Sequence, residues 1–286
     1  MNAAVSSQAD SLGLSNSALP LLADVIHDRL GLVYEATRFD LLADRLAPLV
    51  LERGFDSFLD YYYLLKYDAE AVGEWRRVAD ALSVTETYFW REIDQLHTVV
   101  DHLVPRLAAR QETLRIWSAP CATGEEPLTL AMLLEEAGWF ARAAIEIHAS
   151  DASAAAIARA RDGRYRERAF RSLPPALRAR YFTSDGDTSI VDPALHARVT
   201  SWSVANLLCE GDVLPRARVP IIVCRNVFIY FSAAAVTRTV SAFARAMPRE
   251  AYLCLGASES LLKLRTAFDL EEIGGAFVYV KKNPDA

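Results

Sequence analysis

The chain has 286 residues, about twice a typical single-domain length, so two domains are expected. Its net charge of −6 argues against a general nucleic-acid binder, which would carry a basic patch or domain. No apolar run approaches the roughly 18 residues that span a membrane, and 52% hydrophobic content is ample for a sizeable core.

Residues 1–17, MNAAVSSQADSLGLSNS, lack a basic n-region and an apolar h-region, so they read as a disordered leader and not as a signal peptide. Residues 18–84 read as a helical domain. LPLLADVIHDRL, RFDLLADRLAPLVLERG and FDSFLDYYYLLKY repeat apolar residues at i, i+3, i+4 and i+7, and Gly31 and Gly54 stand as helix stops. Tyr61, Tyr62 and Tyr63 read as core and interface packing. Up to residue 82 there are seven basic residues against thirteen acidic ones; the remainder balances at 24 against 24, so the net charge sits in the helical block.

Residues 85–112 read as a linker and linking helix. Its opening stretch, SVTETYFWRE at 83–92, crowds Tyr88, Phe89 and Trp90 beside Arg91. Two readings are open there: an interface cluster with an exposed arginine, or an arginine that orients a carboxylate substrate. From 113 to 286 the pattern becomes α/β. LRIWSA, IEIHAS, VPIIVC and AYLCLG have strand length and alternate with helical stretches, which predicts βαβ units and a parallel sheet. The stretch 164–204 breaks this rhythm and predicts a small inserted β-subdomain. The final AFDLEEIGGAFVYVKK predicts an antiparallel hairpin around its Gly-Gly turn. Cys121, Cys209, Cys224 and Cys254 show no close-ligand spacing and read as reduced, structural thiols in a cytoplasmic protein. The five histidines are scattered, and His97 and His102 are five apart instead of four, so no metal is expected.

SAPCATGEEP (118–127) follows the first strand, where an open α/β sheet binds its ligands. Gly124 permits a tight turn or a close ligand approach, and Pro127 suits the first turn of a helix. Glu125 and Glu126 then stand at a helix N-terminus. One reading makes them dipole partners, worth roughly 0.3–1 kcal/mol each. The other makes them recognition of a cationic ligand, since carboxylates would repel a phosphate. Asp151 ends the second strand 25 residues after Glu126, the position that binds ribose hydroxyls in nucleoside-binding βαβ units. Together these residues favour a nucleoside ligand without a pyrophosphate, and S-adenosylmethionine (SAM) fits. VPIIVCRNVFIYFS adds Arg225, Asn226 and Tyr230 at the end of a buried strand; the first two may also be no more than a strand cap.

Taken together, SVTETYFWRE, SAPCATGEEPLTLAM, HASDASAAAIARARDGRY, ANLL, CRNVFIYF and GASES resemble the chemotaxis receptor glutamate O-methyltransferases of CheR type, in family order over roughly 18–282. The resemblance implies a class I SAM-dependent methyltransferase with a Rossmann-like sheet, a small all-helical N-terminal domain and an inserted β-subdomain. It implies cofactor contacts at Thr85, Thr87, Arg91, Glu126, Asp151, Asn206, Leu207, Arg225 and Asn226. Arg91 and Tyr230 match the residues placed near the reacting methyl group. The implied partner is the cytoplasmic helical region of methyl-accepting chemotaxis receptors, with no nucleic acid, no membrane insertion and a monomeric enzyme. Thr85 stands where the family often has Asn, Trp90 replaces the second aromatic of an FFR, and Pro120 replaces a common glycine. The short TSDGDTS argues against tethering on a receptor's C-terminal pentapeptide. Methyl transfer to a different protein or small molecule, and a non-catalytic SAM sensor, stay open as alternatives.

Overall fold

A computed structural model describes residues 16–68 and 71–282; all of the expected leader except Asn16 and Ser17 lies outside them. The chain forms two compact units. One runs through Val84 and includes Tyr230–Ala235; the other comprises Thr85–Ile229 and the chain from Val236.

The first unit is built from α1 (Leu19–Leu30), α2 (Phe39–Glu52), α3 (Phe58–Tyr67) and α4 (Ala71–Leu82). Pro20 opens α1, and Gly31 closes it at φ 77°, donating its N–H to the His27 carbonyl. Ser57 caps α3 by accepting from the Asp60 N–H at 3.1 Å. The apolar faces meet around Leu22, Ile26, Leu46, Phe58 and Tyr61, all fully buried. The tyrosine triplet splits by helical periodicity: Tyr61 and Tyr62 are buried and Tyr63 is 53% exposed. Glu74 is also fully buried. It accepts from Arg53 Nε and Tyr61 Oη, each at 2.8 Å. Burial alone would raise its carboxyl, but these bonds and the charges of Arg77 and Arg53 hold it below the usual range. Segment Tyr230–Ala235 belongs here because Val33 N–H donates to the Tyr230 carbonyl at 2.9 Å and His27 Nε2 lies 2.8 Å from Ser232 Oγ.

The second unit starts with a loop and then α5 (Ile93–Thr98), which continues through a π-turn (Val99–Leu103) into α6 (Val104–Ala108). Within 85–112, read as a linker and linking helix, the helical part packs on the sheet. Leu96, Val99, Val100, Leu103, Val104 and Leu107 are all buried in the core of the sheet unit. There follow β1 (Leu114–Ser118), α7 (Glu125–Glu136), β2 (Ile145–Asp151) and α8 (Ala154–Asp162). Next come β3 (Arg164–Arg166), α9 (Pro175–Tyr181), β4 (Phe182–Asp185), β5 (Thr188–Val191), α10 (Pro193–His196) and β6 (Val199–Val204). The chain then runs through α11 (Glu210–Arg216), β7 (Ile221–Val223), α12 (Ala233–Ala246) and β8 (Tyr252–Cys254), and ends with the hairpin β9 (Phe268–Ile273) and β10 (Ala276–Lys281).

Seven strands form one sheet in the order β6-β2-β1-β7-β8-β10-β9. All pair in parallel except β10, which runs antiparallel to both β8 and β9. The order reverses between β1 and β7, which opens a crevice at their carboxyl ends. A separate three-stranded antiparallel sheet, β3-β5-β4, is the inserted piece. It ends at β5, so the expected boundary at 204 needs correction. Residues 199–204 are an edge strand of the large sheet, paired in parallel with β2. Their serine-rich, half-exposed pattern is that of an edge, and it lacks the continuous apolar run by which the central strands declared themselves.

Candidate active site

The carboxyl end of β1 leads into a turn in which Ala122 has φ 46° and Gly124 φ 98°. A Cβ on Gly124 would lie 3.0 Å from Tyr165 Oη and 3.1 Å from Ala160 and Trp202, so this glycine serves close packing of the turn onto the protein itself. The two glutamates that follow part company. Glu125 turns into the interior and accepts from Thr123 Oγ1 at 2.6 Å. Burial raises its carboxyl above the usual range. Glu126 turns toward the strand ends. Its Oε1 accepts from Ser118 Oγ at 2.7 Å and its Oε2 lies 3.2 Å from Arg225 Nη1. Burial raises its carboxyl too, against the opposing Arg225 charge and Ser118 bond.

Arg225 is the hub of the crevice. It follows β7 with only 1% of its side chain exposed. Its Nη2 donates to the Arg91 carbonyl at 2.7 Å and lies 3.3 Å from Glu92 Oε2. Its Nε is buried without a partner among the described residues. Glu92 also accepts from Asn226 Nδ2 at 3.0 Å and from Ala257 N–H at 2.9 Å. Burial would raise the Glu92 carboxyl, but these two bonds and the Arg225 charge hold it below the usual range. Glu259 completes the cluster. Its Oε2 accepts from the Asn226 and Gly256 N–H groups, each at 2.7 Å, and its Oε1 from those of Val227 and Phe228 at 2.8 and 2.6 Å. Asn226 takes φ 60°, and a Cβ on Gly256 would fall 2.7 Å from Asn226 Nδ2. Two carboxylates, Glu126 and Glu92, thus flank one guanidinium, and a third, Glu259, holds the turn beside it, an environment that favours a cationic ligand.

Asp151 ends β2 and ties the β1 turn down: Oδ2 accepts from the Ala122 N–H and Oδ1 from the Ser153 N–H, both at 2.9 Å. Asn206 follows β6, its N–H bonded to Asp212 and its Oδ1 accepting from the Leu208 N–H; Leu207 is buried beside it. Arg91 Nη1 donates to the Glu86 carbonyl at 2.8 Å, and its guanidinium stands 5.8 Å from the Tyr88 ring centre. Phe89 is fully buried against Tyr165, Phe170 and Phe182, and anchors the loop that carries Arg91. Thr85 and Thr87 lie half-buried in that loop, and their hydroxyls meet no partner among the described residues. Tyr230 is half-buried and goes with the helical unit through its carbonyl. The sheet unit therefore assembles Glu126, Arg225, Asn226 and the Arg91 backbone directly, with Asp151 on the neighbouring strand. Ser118, Glu92 and Glu259 went unassigned in the sequence. Glu92 and Glu259 lay inside SVTETYFWRE and GASES, but nothing about their spacing tied them to a β7 turn more than 30 residues away.

A doubly wound sheet whose antiparallel β10 lies between β8 and β9, with carboxylates where a phosphate loop would present amides, defines a class I SAM-dependent methyltransferase. Residues 85–276 match the CheR methyltransferase SAM binding domain, and residues 17–83 match the CheR methyltransferase all-alpha domain. The chain belongs to the CheR methyltransferase family, and SAM is its cofactor. It is 29% identical to chemotaxis protein methyltransferase 2 of Vibrio cholerae over 263 residues, 90% of either chain. Chemotaxis protein methyltransferase 1 of the same organism is 30% identical, covering 90% of this chain and 94% of that one. The Escherichia coli chemotaxis protein methyltransferase is 28% identical over 264 residues, 91% of this chain and 90% of its own.

Proposed function

We propose that the protein transfers the methyl group of SAM to glutamate side chains in the cytoplasmic helical region of chemoreceptors, giving glutamyl methyl esters. The observation that carries this reading is the pairing of Glu126 and Glu92 with buried Arg225, with Glu259 on the adjoining turn and Arg91 on the adjoining loop. Such a cradle suits a sulfonium and an ammonium, and repels phosphate. The orphaned Nε of Arg225 leaves one buried donor for an acceptor on the ligand.

In this reading Glu126 binds the cationic amino-acid end of the cofactor, and Asp151 its ribose hydroxyls. Asn206, Leu207, Asn226, Thr85 and Thr87 complete the contacts. The bound cofactor supplies an electrophilic methyl group. A glutamate acceptor is already ionised at neutral pH, so the protein needs no general base. Its task is in-line placement and exclusion of water, together worth several kcal/mol. Arg91 orients the acceptor carboxylate without gripping it, because the acceptor charge is neutralised in the transition state and tight ground-state pairing would slow transfer. Tyr230 positions donor or acceptor through its hydroxyl and ring. The two-residue turn Gly186–Asp187 between β4 and β5 supports action without pentapeptide tethering. Among the described residues no helix is long and apolar enough to cross a membrane.

The test is transfer of labelled methyl from SAM to membranes rich in chemoreceptors, followed by mild alkali. Base-labile label on a receptor-sized band is expected. Base-stable label would move the reaction to nitrogen chemistry, and no transfer with SAM binding intact would reject the acceptor.

A further inference from the structure

Residues 158–180 carry eight arginines against Asp162 and Glu167, a basic concentration in a chain of net charge −6. Several are neutralised locally. Arg164 pairs with Asp185, Arg178 makes two 2.7 Å bonds to Glu167, and Arg180 lies 2.8 Å from Glu136. Arg166 and Arg168 are different. They are exposed, and neither forms an ion pair with a carboxylate among the described residues; the charge of Arg168 acts only at longer range, on buried Glu125. Arg166 ends β3, and Arg168 sits in the short 3-10 turn that follows (Glu167–Phe170).

The next arginine joins this pair to the active-site loop. Arg171 donates from Nη1 to the Arg168 carbonyl at 3.2 Å, and its guanidinium stands 3.6 Å from the Tyr88 ring centre. Arg91 lies 5.8 Å from the same ring. The nearest carboxylate to Arg171 is that of mostly exposed Glu86, at 3.9 Å. Arg166, Arg168 and Arg171 thus form a row in chain order, and Arg171 shares one aromatic ring with Arg91.

We propose that this row is the docking face for an acidic helical segment of the methyl acceptor, the segment that carries the target glutamates. The inference rests on the proposed reading of the acceptor. Three observations favour such a segment over a nucleic acid or a membrane. The row is short, its last member shares a ring with the arginine that orients the acceptor carboxylate, and the chain's overall negative charge opposes extended polyanions at long range. Exposed charges of this kind act mainly on encounter and register, so they set KM for the acceptor and leave the chemical step alone.

The test is the double charge reversal Arg166→Glu with Arg168→Glu in the full chain. Arg166 has no ion pair to lose; the charge of Arg168 acts on buried Glu125, so Arg166→Glu alone is the control that keeps that influence. A chemoreceptor cytoplasmic fragment serves as probe, with its acceptor positions all Glu or all Gln. The expected result is a KM for the Glu fragment raised about tenfold or more, with unchanged kcat at saturation and unchanged SAM Kd. Wild-type binding to the Glu fragment should exceed that to the Gln fragment and weaken with salt, and the variant should lose both differences. An unchanged KM and unchanged fragment binding overturn the docking face while leaving the reaction standing. Normal, charge-dependent fragment binding without base-labile transfer overturns the reaction and leaves the docking face. A variant that loses binding to duplex DNA or to phosphatidylglycerol vesicles, but still binds the fragment, overturns it in favour of those partners.

Discussion

Arg225 shows how one side chain can organise a site that it barely exposes. A buried guanidinium between Glu126 and Glu92 fixes both carboxylates and the Arg91 backbone. Arg91 itself keeps its guanidinium partly exposed, as expected of a group that meets the acceptor. Arg91→Ala is expected to lower kcat on the order of 10²-fold with SAM affinity nearly unchanged, because it removes orientation and leaves the cofactor cradle whole. Rapid-quench rates beside calorimetric Kd values check this; equal losses in both would reject the orienting role. Glu126 carries a pH consequence. Its carboxyl titrates above the usual range because of burial, against the pull of Arg225 and Ser118. Protonation removes the charge that a cationic ligand needs, so SAM affinity should fall as pH drops through that raised value, above the usual carboxylate range. Glu126→Gln should bind weakly throughout and lose that part of the pH dependence, read by calorimetry across the range.

Several short turns do the positioning. The turn after β7 exists in its observed form because one carboxylate, Glu259, collects four backbone N–H donors from 226–228 and 256. Left-handed Asn226 and the close approach at Gly256 follow from that convergence. Glu259→Gln places an amide N–H₂ against two of those donors. It should cost about 1–3 kcal/mol of stability and weaken SAM binding about tenfold, equivalent to 1.4 kcal/mol. Urea denaturation and calorimetry separate the two, and unchanged SAM affinity would confine Glu259 to stability. Legibility in the sequence divided along similar lines. β1, β2, β7 and β8 were visible because central parallel strands are apolar on both faces. β6 was hidden because an edge strand mixes polar and apolar residues. Within 85–112, read as a linker and linking helix, the burial of 93–108 was not visible because packing on the sheet depends on what lies beneath it.

Charge is divided unevenly along the chain. The surplus of acid lies before residue 83, while the inserted sheet carries the arginine row. Cofactor binding belongs to the sheet unit, so SAM should stabilise the protein through mass action. At about 100 times Kd the gain is about 2.7 kcal/mol. Asp151→Ala, lacking the proposed ribose contact, should show a clearly smaller rise in Tm at the same SAM concentration in differential scanning fluorimetry. An equal rise would reject the ribose assignment. The mutation also removes the tie to Ala122, so its Tm without SAM should fall as well.

The sequence alone specified the class of fold, the cofactor and the carboxylates at the ends of β1 and β2, because these depend on local patterns: strand length, helix period and acidic residues at fixed offsets. Folding decided what those residues do with one another. It turned Glu125 toward Thr123 and Glu126 toward Ser118 and Arg225 at the strand ends, because adjacent residues at a helix start point about 100° apart. It brought Glu92, Arg225 and Glu259 from three distant loops to one buried charge cluster. Such a cluster is a long-range compensation of desolvated charge, and no local pattern encodes it.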